Sequence, residues 1–258
     1  MEKLLNYING EFQEAKSGQF FENIDPATGK PYAWIPDSDL EDVAIAVDAA
    51  QAAFPSWSNL SNEDRSEWLQ RLANGIAEKM DLFVAAESKD NGKPLKLAAH
   101  VDIPRAVQNF SFFATAIVHY SSETHYMAGT GVNYTLRKPI GVVGCISPWN
   151  LPLYLFTWKI APALAAGNCV VAKPSEVTPY TAYLLCKVMD EIKFPKGVLN
   201  IVHGLGHKTG DAIVRHPLTK AISFTGGTST GKTIASIAAP MFKKLSLELG
   251  GKNPNIIF

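Results

Sequence analysis

Glu248 is the side chain whose surroundings point most directly to chemistry. It stands between Leu247 and Leu249, and Gly250 and Gly251 follow directly after Leu249. Two glycines let the backbone turn sharply after a β-strand, so the carboxylate is expected at the strand end, facing an apolar cleft. A carboxylate placed there can serve as a general base, with a pKa set by its surroundings. In the alternative interpretation, Glu248 only pairs with a neighbouring cation.

The loop Ile146–Pro152 is a second candidate, because it holds an amide and an indole on a turn made rigid by proline. The amide of Asn150 is suited to stabilise the oxyanion of a tetrahedral intermediate, and the indole N–H of Trp149 is suited to reach a phosphate. Taken alone, the loop also matches an ordinary turn with a half-buried tryptophan.

Lys173 and Glu176 follow another apolar strand and are suited to bind the hydroxyl groups of a ribose. A carboxylate hydrogen-bonds the 2′-hydroxyl of NAD and repels the 2′-phosphate of NADP, so Glu176 predicts NAD. A solvated surface pair is the alternative for these two residues by themselves.

A glycine-rich loop, Phe224–Thr233, opens a predicted helix. Residues 226–233 also fit the Walker A pattern of a P-loop nucleotide hydrolase. Both interpretations place phosphate at the N–H groups of a helix N-terminus. The hydrolase also needs an aspartate after another apolar strand to hold Mg²⁺, and the predicted strands Lys243–Leu247 and Asn255–Phe258 supply none. The P-loop hydrolase stays open as the alternative.

Local signals predict the elements before residue 130. Asn9-Gly10 predicts a β-hairpin, and a capping box starting at Ser38 predicts a helix that stops near Pro55. Ser61 predicts the start of a second helix, and a helical pattern after residue 95 is interrupted at Pro104.

After residue 130, short apolar strands alternate with amphipathic helices, which is typical of parallel βαβ units. We therefore predict an α/β fold, a Rossmann-like doubly wound parallel sheet preceded by a helical N-terminal segment. Residues 1–130 would form a hairpin and helices packed on a dinucleotide-binding sheet formed by residues 131–258. Such sheets bind ligands beyond the carboxyl ends of their strands, where the four loops fall.

Composition excludes several functions. The 24 basic and 24 acidic residues give zero net charge, which argues against nucleic acid or an anionic membrane as partner.

Cys145, Cys169 and Cys186 are few and widely spaced, which indicates reduced thiols in a cytoplasmic protein. The N-terminus lacks a signal peptide, and the longest apolar run is too short to span a bilayer. His203 and His207 flank helix-breaking glycines without a third ligand, so no metal site is predicted.

In this order on one sheet, the four loops resemble the aldehyde dehydrogenase superfamily, and the resemblance runs from the N-terminal hairpin to the end of the chain. It implies a small-molecule aldehyde as substrate. It also implies that Asn150 stabilises the oxyanion formed when a thiolate adds to the aldehyde, and that Glu248 activates the water that hydrolyses the resulting thioester.

The same resemblance implies NAD as cofactor. Lys173 and Glu176 would hold the adenosine ribose, and the pyrophosphate would lie along Gly226 and Gly227 with Trp149 nearby. Many members have serine where this chain has Gly227, so only backbone contacts to phosphate are expected there. The remaining positions assigned to the cofactor are Ile146, Ser175, Phe224, Thr225, Gly231 and Leu249.

In the family, the nucleophilic cysteine lies some tens of residues beyond the glutamate. We therefore expect residues 1–258 alone to have no turnover, and an NAD-binding fragment without catalysis is the alternative function. The family forms homo-oligomers through a hairpin near Val132–Arg137, which pairs with residues further along the chain.

Within the superfamily, Asp102–Phe110 and Ile146–Tyr154 are most similar to dehydrogenases of 2-aminomuconate semialdehyde, in tryptophan catabolism, and of hydroxymuconic semialdehyde. Such substrates carry carboxylates, which an arginine can bind bidentately. Arg105 is the candidate substrate-binding residue, and a surface arginine beside a proline kink is the alternative. Betaine-aldehyde and retinal-type enzymes are the alternatives within the superfamily.

Overall fold

The computed structural model describes residues 1–257. Its strands are β1 (Glu2–Lys3), β2 (Asn6–Ile8), β3 (Glu11–Gln13), β4 (Phe20–Asp25), β5 (Lys30–Pro36), β6 (Thr124–Met127), β7 (Gly131–Tyr134), β8 (Val142–Ile146), β9 (Cys169–Lys173), β10 (Leu199–Ile201), β11 (Thr219–Thr225) and β12 (Lys244–Glu248). Its α-helices are α1 (Leu40–Ser58), α2 (Asn62–Glu78), α3 (Met80–Asn91), α4 (Leu95–Leu97), α5 (Ile103–Val118), α6 (Pro152–Ala165), α7 (Tyr180–Glu191), α8 (Asp211–Arg215) and α9 (Thr228–Ala238).

The largest sheet has seven strands in the order β12-β11-β8-β9-β10-β2-β3. The five strands from β12 to β10 are parallel, and β2 and β3 join antiparallel at one edge. The chain runs from β8 outward to β9 and β10, then returns to the other side of β8 to form β11 and β12. The winding therefore reverses between β8 and β11, and the predicted doubly wound parallel sheet is confirmed.

Helices cover both faces of this sheet. The neighbouring residues Gly144 and Cys145 show the two sides, since strand residues alternate between faces. A Cβ at Gly144 would lie 2.5 Å from Ile213 of α8, whereas Cys145 lies on the side of Lys159 of α6. Helix α1 packs beside α8, and α2 and α5 pack on α6. Strands β8 and β9 are buried along their whole length, as expected for the centre of such a sheet.

Helix α1 differs from its prediction at both ends. Its N-cap is Asp39, which forms a capping box with Asp42, because the hydroxyl of Ser38 instead accepts a hydrogen bond from Asn6 at 2.8 Å. Pro55 lies inside the helix rather than at its end. The helix continues past the proline because Trp57 is buried in the core. The predicted cap at Ser61 is confirmed, since its side chain accepts from the Asp64 N–H.

The helical stretch after residue 95 is interrupted one turn earlier than predicted. A π-helical turn, Ala98–Asp102, separates α4 from α5. Pro104 itself lies in the first turn of α5, where a proline is tolerated because the backbone N–H there needs no helical partner.

Two of the hairpins, β2–β3 and β6–β7, link residues 1–130 to residues 131–258, the two predicted segments. Asn9 and Gly10 adopt positive φ angles of 53° and 76°, so the predicted N-terminal hairpin is confirmed, and its strands extend the main sheet. The second hairpin, β6–β7, is exposed along both strands. Its turn contains residue 130, the predicted boundary, so this hairpin draws on both predicted segments.

Residues 249–257 form no regular secondary structure. The strand predicted at Asn255–Phe258 is therefore wrong over residues 255–257, and Phe258 lies outside the described residues. Within residues 1–257, no helix combines the length and apolar character needed to cross a membrane.

Candidate functional site

The four predicted loops begin at strand ends that lie in register across the sheet. Ile146 of β8 pairs with Lys173 of β9 on one side and with Phe224 of β11 on the other. Thr225 of β11 then pairs with Glu248, the last residue of β12. Parallel strands end at the same edge, so the loops that follow them share one side of the sheet. The structure thus brings the predicted site residues to the switch between β8 and β11.

A first cavity of about 580 Å³ lies over these strand ends. Its volume suits a small-molecule or cofactor site. All predicted cofactor positions other than Gly231 and Leu249 line it, namely Ile146, Trp149, Lys173, Ser175, Glu176, Phe224, Thr225, Gly226 and Gly227. His207, which the sequence analysis did not assign, also lines it.

Lys173 and Glu176, which line the first cavity, form an ion pair of 2.8 Å. The lysine side chain is 2% exposed and the glutamate side chain 33% exposed. Burial lowers the pKa of Lys173, although the neighbouring carboxylate opposes this. Burial alone would raise the pKa of Glu176, but the Lys173 ammonium and the Gly206 N–H, at 3.2 Å, hold that pKa below its ordinary value. Glu176 is therefore an ionised carboxylate that can accept hydrogen bonds from ribose.

The N-terminus of α9 faces the same cavity through Ser229 and Thr230. Gly227 is the N-cap, and no side chain caps the first N–H groups, so they can bind a phosphate. A Cβ at Gly226 would lie 2.5 Å from the Phe224 ring, so only glycine fits this close packing. The ionised Glu176 and this helix end are therefore suited to hydrogen-bond a ribose and a phosphate, respectively.

Gly231 and Leu249 contribute through packing rather than by lining the first cavity. A Cβ at Gly231 would lie 2.4 Å from Leu249, so the glycine lets the segment after β12 approach α9. Lys232, the lysine that a Walker A loop would point at phosphate, lies exposed on α9 and does not line the first cavity.

A second cavity of about 960 Å³ adjoins the first, and Trp149, Thr225 and Gly226 line both. Asn150 and Glu248 line the second cavity. Glu248 is exposed, so the expectation of a base in an apolar cleft is not met within residues 1–257. The geometry nevertheless places an amide donor and a carboxylate around one space, next to the predicted cofactor positions.

Lys159 is a site residue that the sequence analysis missed. It lines the second cavity, and its ammonium donates to the Thr225 hydroxyl at 2.5 Å. Burial lowers the pKa of Lys159, whereas Cys145 and Glu248 oppose this shift. A lone lysine on the apolar, buried face of a predicted helix was the signal that could have identified it.

Arg105 lies at the margin of this region. It is exposed, donates to the hydroxyl of Tyr154 at 3.1 Å, and its guanidinium lies 5.3 Å from the Tyr154 ring centroid. Tyr154 lines the second cavity. Arg105 does not line this cavity and is linked to it only through its contact with Tyr154.

The cysteines lie away from both cavities. Cys145, Cys169 and Cys186 are all buried, and burial raises the pKa of Cys145 to about 12. His203 is fully buried, which lowers its pKa to about 3, while His207 is exposed at the first cavity. Within residues 1–257, no group of three or more histidine, cysteine, aspartate or glutamate side chains is arranged to hold a metal ion.

Several known proteins are similar to this chain in sequence. A model of the aldehyde dehydrogenase family matches residues 12–258. A 2-aminomuconic semialdehyde dehydrogenase from Danio rerio is 53% identical over 256 residues, which make up 99% of this chain and 52% of that protein. A 2-hydroxymuconic semialdehyde dehydrogenase from Pseudomonas sp. (strain CF600) is 46% identical over 264 residues, covering 100% of this chain and 54% of that protein. The chain spans about half the length of the curated relatives it matches.

A solved structure agrees with these relatives. The NAD⁺ complex of an aldehyde dehydrogenase from Bacillus cereus matches with a TM-score of 0.96 at 40% identity, covering 100% of this chain and 53% of that chain. The resemblance inferred from the four loops is thereby confirmed, and the chain belongs to the aldehyde dehydrogenase family.

Proposed function

We propose that this chain is the NAD-binding part of an enzyme that oxidises a small aldehyde to its carboxylic acid. The observation that carries the proposal is the register of the strand ends. It brings the Lys173–Glu176 ion pair, an uncapped helix N-terminus and Glu248 to one edge of the sheet. The family match and the NAD⁺ complex of the Bacillus cereus structure support the same activity.

In this proposal, Glu176 and Lys173 hold the adenosine ribose, and the N-terminus of α9 with Gly226 and Gly227 binds the pyrophosphate. The chemistry that NAD supplies when bound is the acceptance of a hydride from the aldehyde carbon. The carboxylate of Glu176 repels a 2′-phosphate, so the site selects NAD over NADP.

The second cavity would hold the reacting aldehyde. The Asn150 amide donates a hydrogen bond to the oxyanion that forms when a thiolate adds to the aldehyde carbon. Glu248 accepts a proton from the water that later hydrolyses the thioester. The thiolate is not one of the three cysteines of this chain, since each is buried. We propose that it comes from residues beyond 258, so that residues 1–258 alone bind NAD without oxidising aldehydes.

The proposed substrate is a semialdehyde that carries a carboxylate, such as 2-aminomuconate semialdehyde, an intermediate of tryptophan catabolism. The names of the Danio rerio and Pseudomonas relatives support this class. Arg105 is proposed to bind the carboxylate of the substrate, which would pass Tyr154 to reach it. We further propose a cytoplasmic homo-oligomer that uses the exposed β6–β7 hairpin, where Tyr126 and Tyr134 are 77% and 59% exposed.

The test compares two polypeptides. Residues 1–258 should bind NAD in a calorimetric titration but should form no NADH with a semialdehyde. The full-length enzyme should form NADH at a steady rate. Steady NADH formation by residues 1–258, lost on mutating Cys145, would refute the assignment of the thiol. Tighter binding of ATP with Mg²⁺ than of NAD would refute the assignment of the first cavity.

A further inference from the structure

We propose that Lys93 is a positioning residue for Asn150. Its ammonium holds the main chain of the β8–α6 loop (Ser147–Leu151), so that the Asn150 amide faces the second cavity. This inference rests on the proposed function, because it assigns Lys93 a task in the same reaction. Lys93 lines neither the first nor the second cavity, so it acts through Asn150 and does not touch the reacting atoms.

The turn after α3 places Lys93 next to the β8–α6 loop. Gly92 ends α3 in the left-handed conformation, with φ at 80°, and a Cβ there would lie 2.9 Å from Pro26. The hydroxyl of Ser88 donates to the Lys93 carbonyl at 2.6 Å. The backbone of Lys93 is therefore fixed on both sides before its side chain makes any contact.

A buried carboxylate keeps the ammonium in place. Lys93 Nζ lies 3.0 Å from Asp102 Oδ1, and the two side chains are 8% and 0% exposed. A buried carboxylate without a partner is strongly unfavourable, so Asp102 retains the lysine at this point. The same ammonium donates to the Asn150 carbonyl at 3.2 Å. One cation thus joins the π-helical turn to the residue that carries the oxyanion donor.

Two further contacts from α3 hold this loop and the start of the helix after it. Asn91 Nδ2 donates to the Trp149 carbonyl at 2.7 Å, and the backbone N–H of Leu153, in the first turn of α6, donates to Glu87 Oε2 at 3.4 Å. The carbonyls of Trp149 and Asn150 are therefore both held on the α3 side. Asn150 and Glu248 both line the second cavity. An oxyanion donor is effective when it is oriented before the reaction, and these contacts provide that orientation.

Hydrogen exchange in residues 1–258 tests whether Lys93 holds the loop. Lys93→Met should speed amide exchange in the β8–α6 loop roughly 10-fold or more, and Lys93→Arg should restore slow exchange. Lys96→Met, three residues away and exposed, is the matched control and should leave the loop unchanged. If Lys93→Met fails to fold because Asp102 is left unpaired, the double variant Lys93→Met/Asp102→Asn removes the buried charge and should show the same local effect. Unchanged exchange in the loop would overturn the proposal.

Kinetics of the full-length enzyme separate positioning from general stability. Lys93→Met should lower kcat roughly 10-fold or more with an unchanged KM for NAD. The same change in an Asn150→Ala background should have no further effect on kcat, because Lys93 acts through Asn150. Equal losses in both backgrounds would overturn the proposal. If the unaltered full-length enzyme oxidises no aldehyde, the proposed function fails, and the exchange measurement alone decides whether Lys93 holds the loop.

Discussion

Thr225 and Glu248 are register partners at the ends of the neighbouring parallel strands β11 and β12. Thr225 lines both cavities, and its hydroxyl accepts a hydrogen bond from the ammonium of the buried Lys159. The proposed base therefore lies in the second cavity, next to a residue that also lines the first cavity, and a lysine lies nearby. This arrangement suits a carboxylate that acts on water after the hydride has left.

Changing Glu248 to glutamine tests the general base. In the full-length enzyme, Glu248→Gln keeps the size of the side chain but cannot take up the proton, so deacylation should slow by roughly 10²–10⁴. Rapid-mixing measurements should show a burst of NADH followed by very slow turnover. A variant that melts at lower temperature yet turns over normally would instead assign Glu248 a structural role.

Removing the Asn150 amide tests the oxyanion donor. Asn150→Ala should lower kcat by roughly 10²–10³, the usual cost of one such donor, while the Kd for NAD stays the same. Steady-state kinetics and a calorimetric titration measure the two quantities. An unchanged kcat, under conditions where the chemical step limits turnover, would remove Asn150 from the mechanism.

Neutralising Glu176 tests cofactor selection. Residues 1–258 should bind NAD more tightly than NADP, and Glu176→Gln should narrow the ratio of the two Kd values by about 10-fold, or ~1.4 kcal/mol. Glutamine keeps an acceptor for Lys173, so this buried lysine is not left unpaired. Glu78→Gln, an exposed change on α2, should leave the ratio as it was. Equal affinities for NAD and NADP before any mutation would contradict the role given to Glu176.

Glu87 should make the protein less stable as pH rises. Burial raises the pKa of Glu87 from 4.5 to about 8, with Asp102 adding to the shift and Lys93 opposing it. Between these values the folded chain keeps a proton that the unfolded chain releases, so the free energy of unfolding falls with pH. The slope attributable to this group is at most roughly 1.4 kcal/mol per pH unit.

Denaturant unfolding from about pH 5 to about pH 8 measures this slope. Glu87→Gln should remove the contribution of Glu87, because glutamine does not titrate. Glu78→Gln is the matched control and should retain the slope of the unaltered protein. An identical pH dependence in the Glu87→Gln variant would show that Glu87 is ionised in the folded state at neutral pH.

Elements defined by local signals were predictable from the sequence. Helix α9 begins in the glycine-rich loop as predicted, and the Asn9-Gly10 turn and the Ser61 cap form as expected. Each depends on residues a few positions apart, so the local pattern contains the information. The alternation of apolar strands and helices was likewise sufficient to predict the doubly wound sheet. The residues at the ends of these strands were sufficient to identify the family.

Contacts between residues far apart in the chain needed the tertiary structure. Lys159 meets Thr225, 66 residues away, and Asn91 meets the Trp149 carbonyl, 58 residues away. The end of α1 likewise depends on how Trp57 packs in the core rather than on Pro55. A side chain's type shows what chemistry it can do, and the sequence by itself determined that much for Glu248, Asn150 and Glu176. Which lysine side chains lie close to these residues depends on how the helices pack against the sheet. Only the tertiary structure decided this.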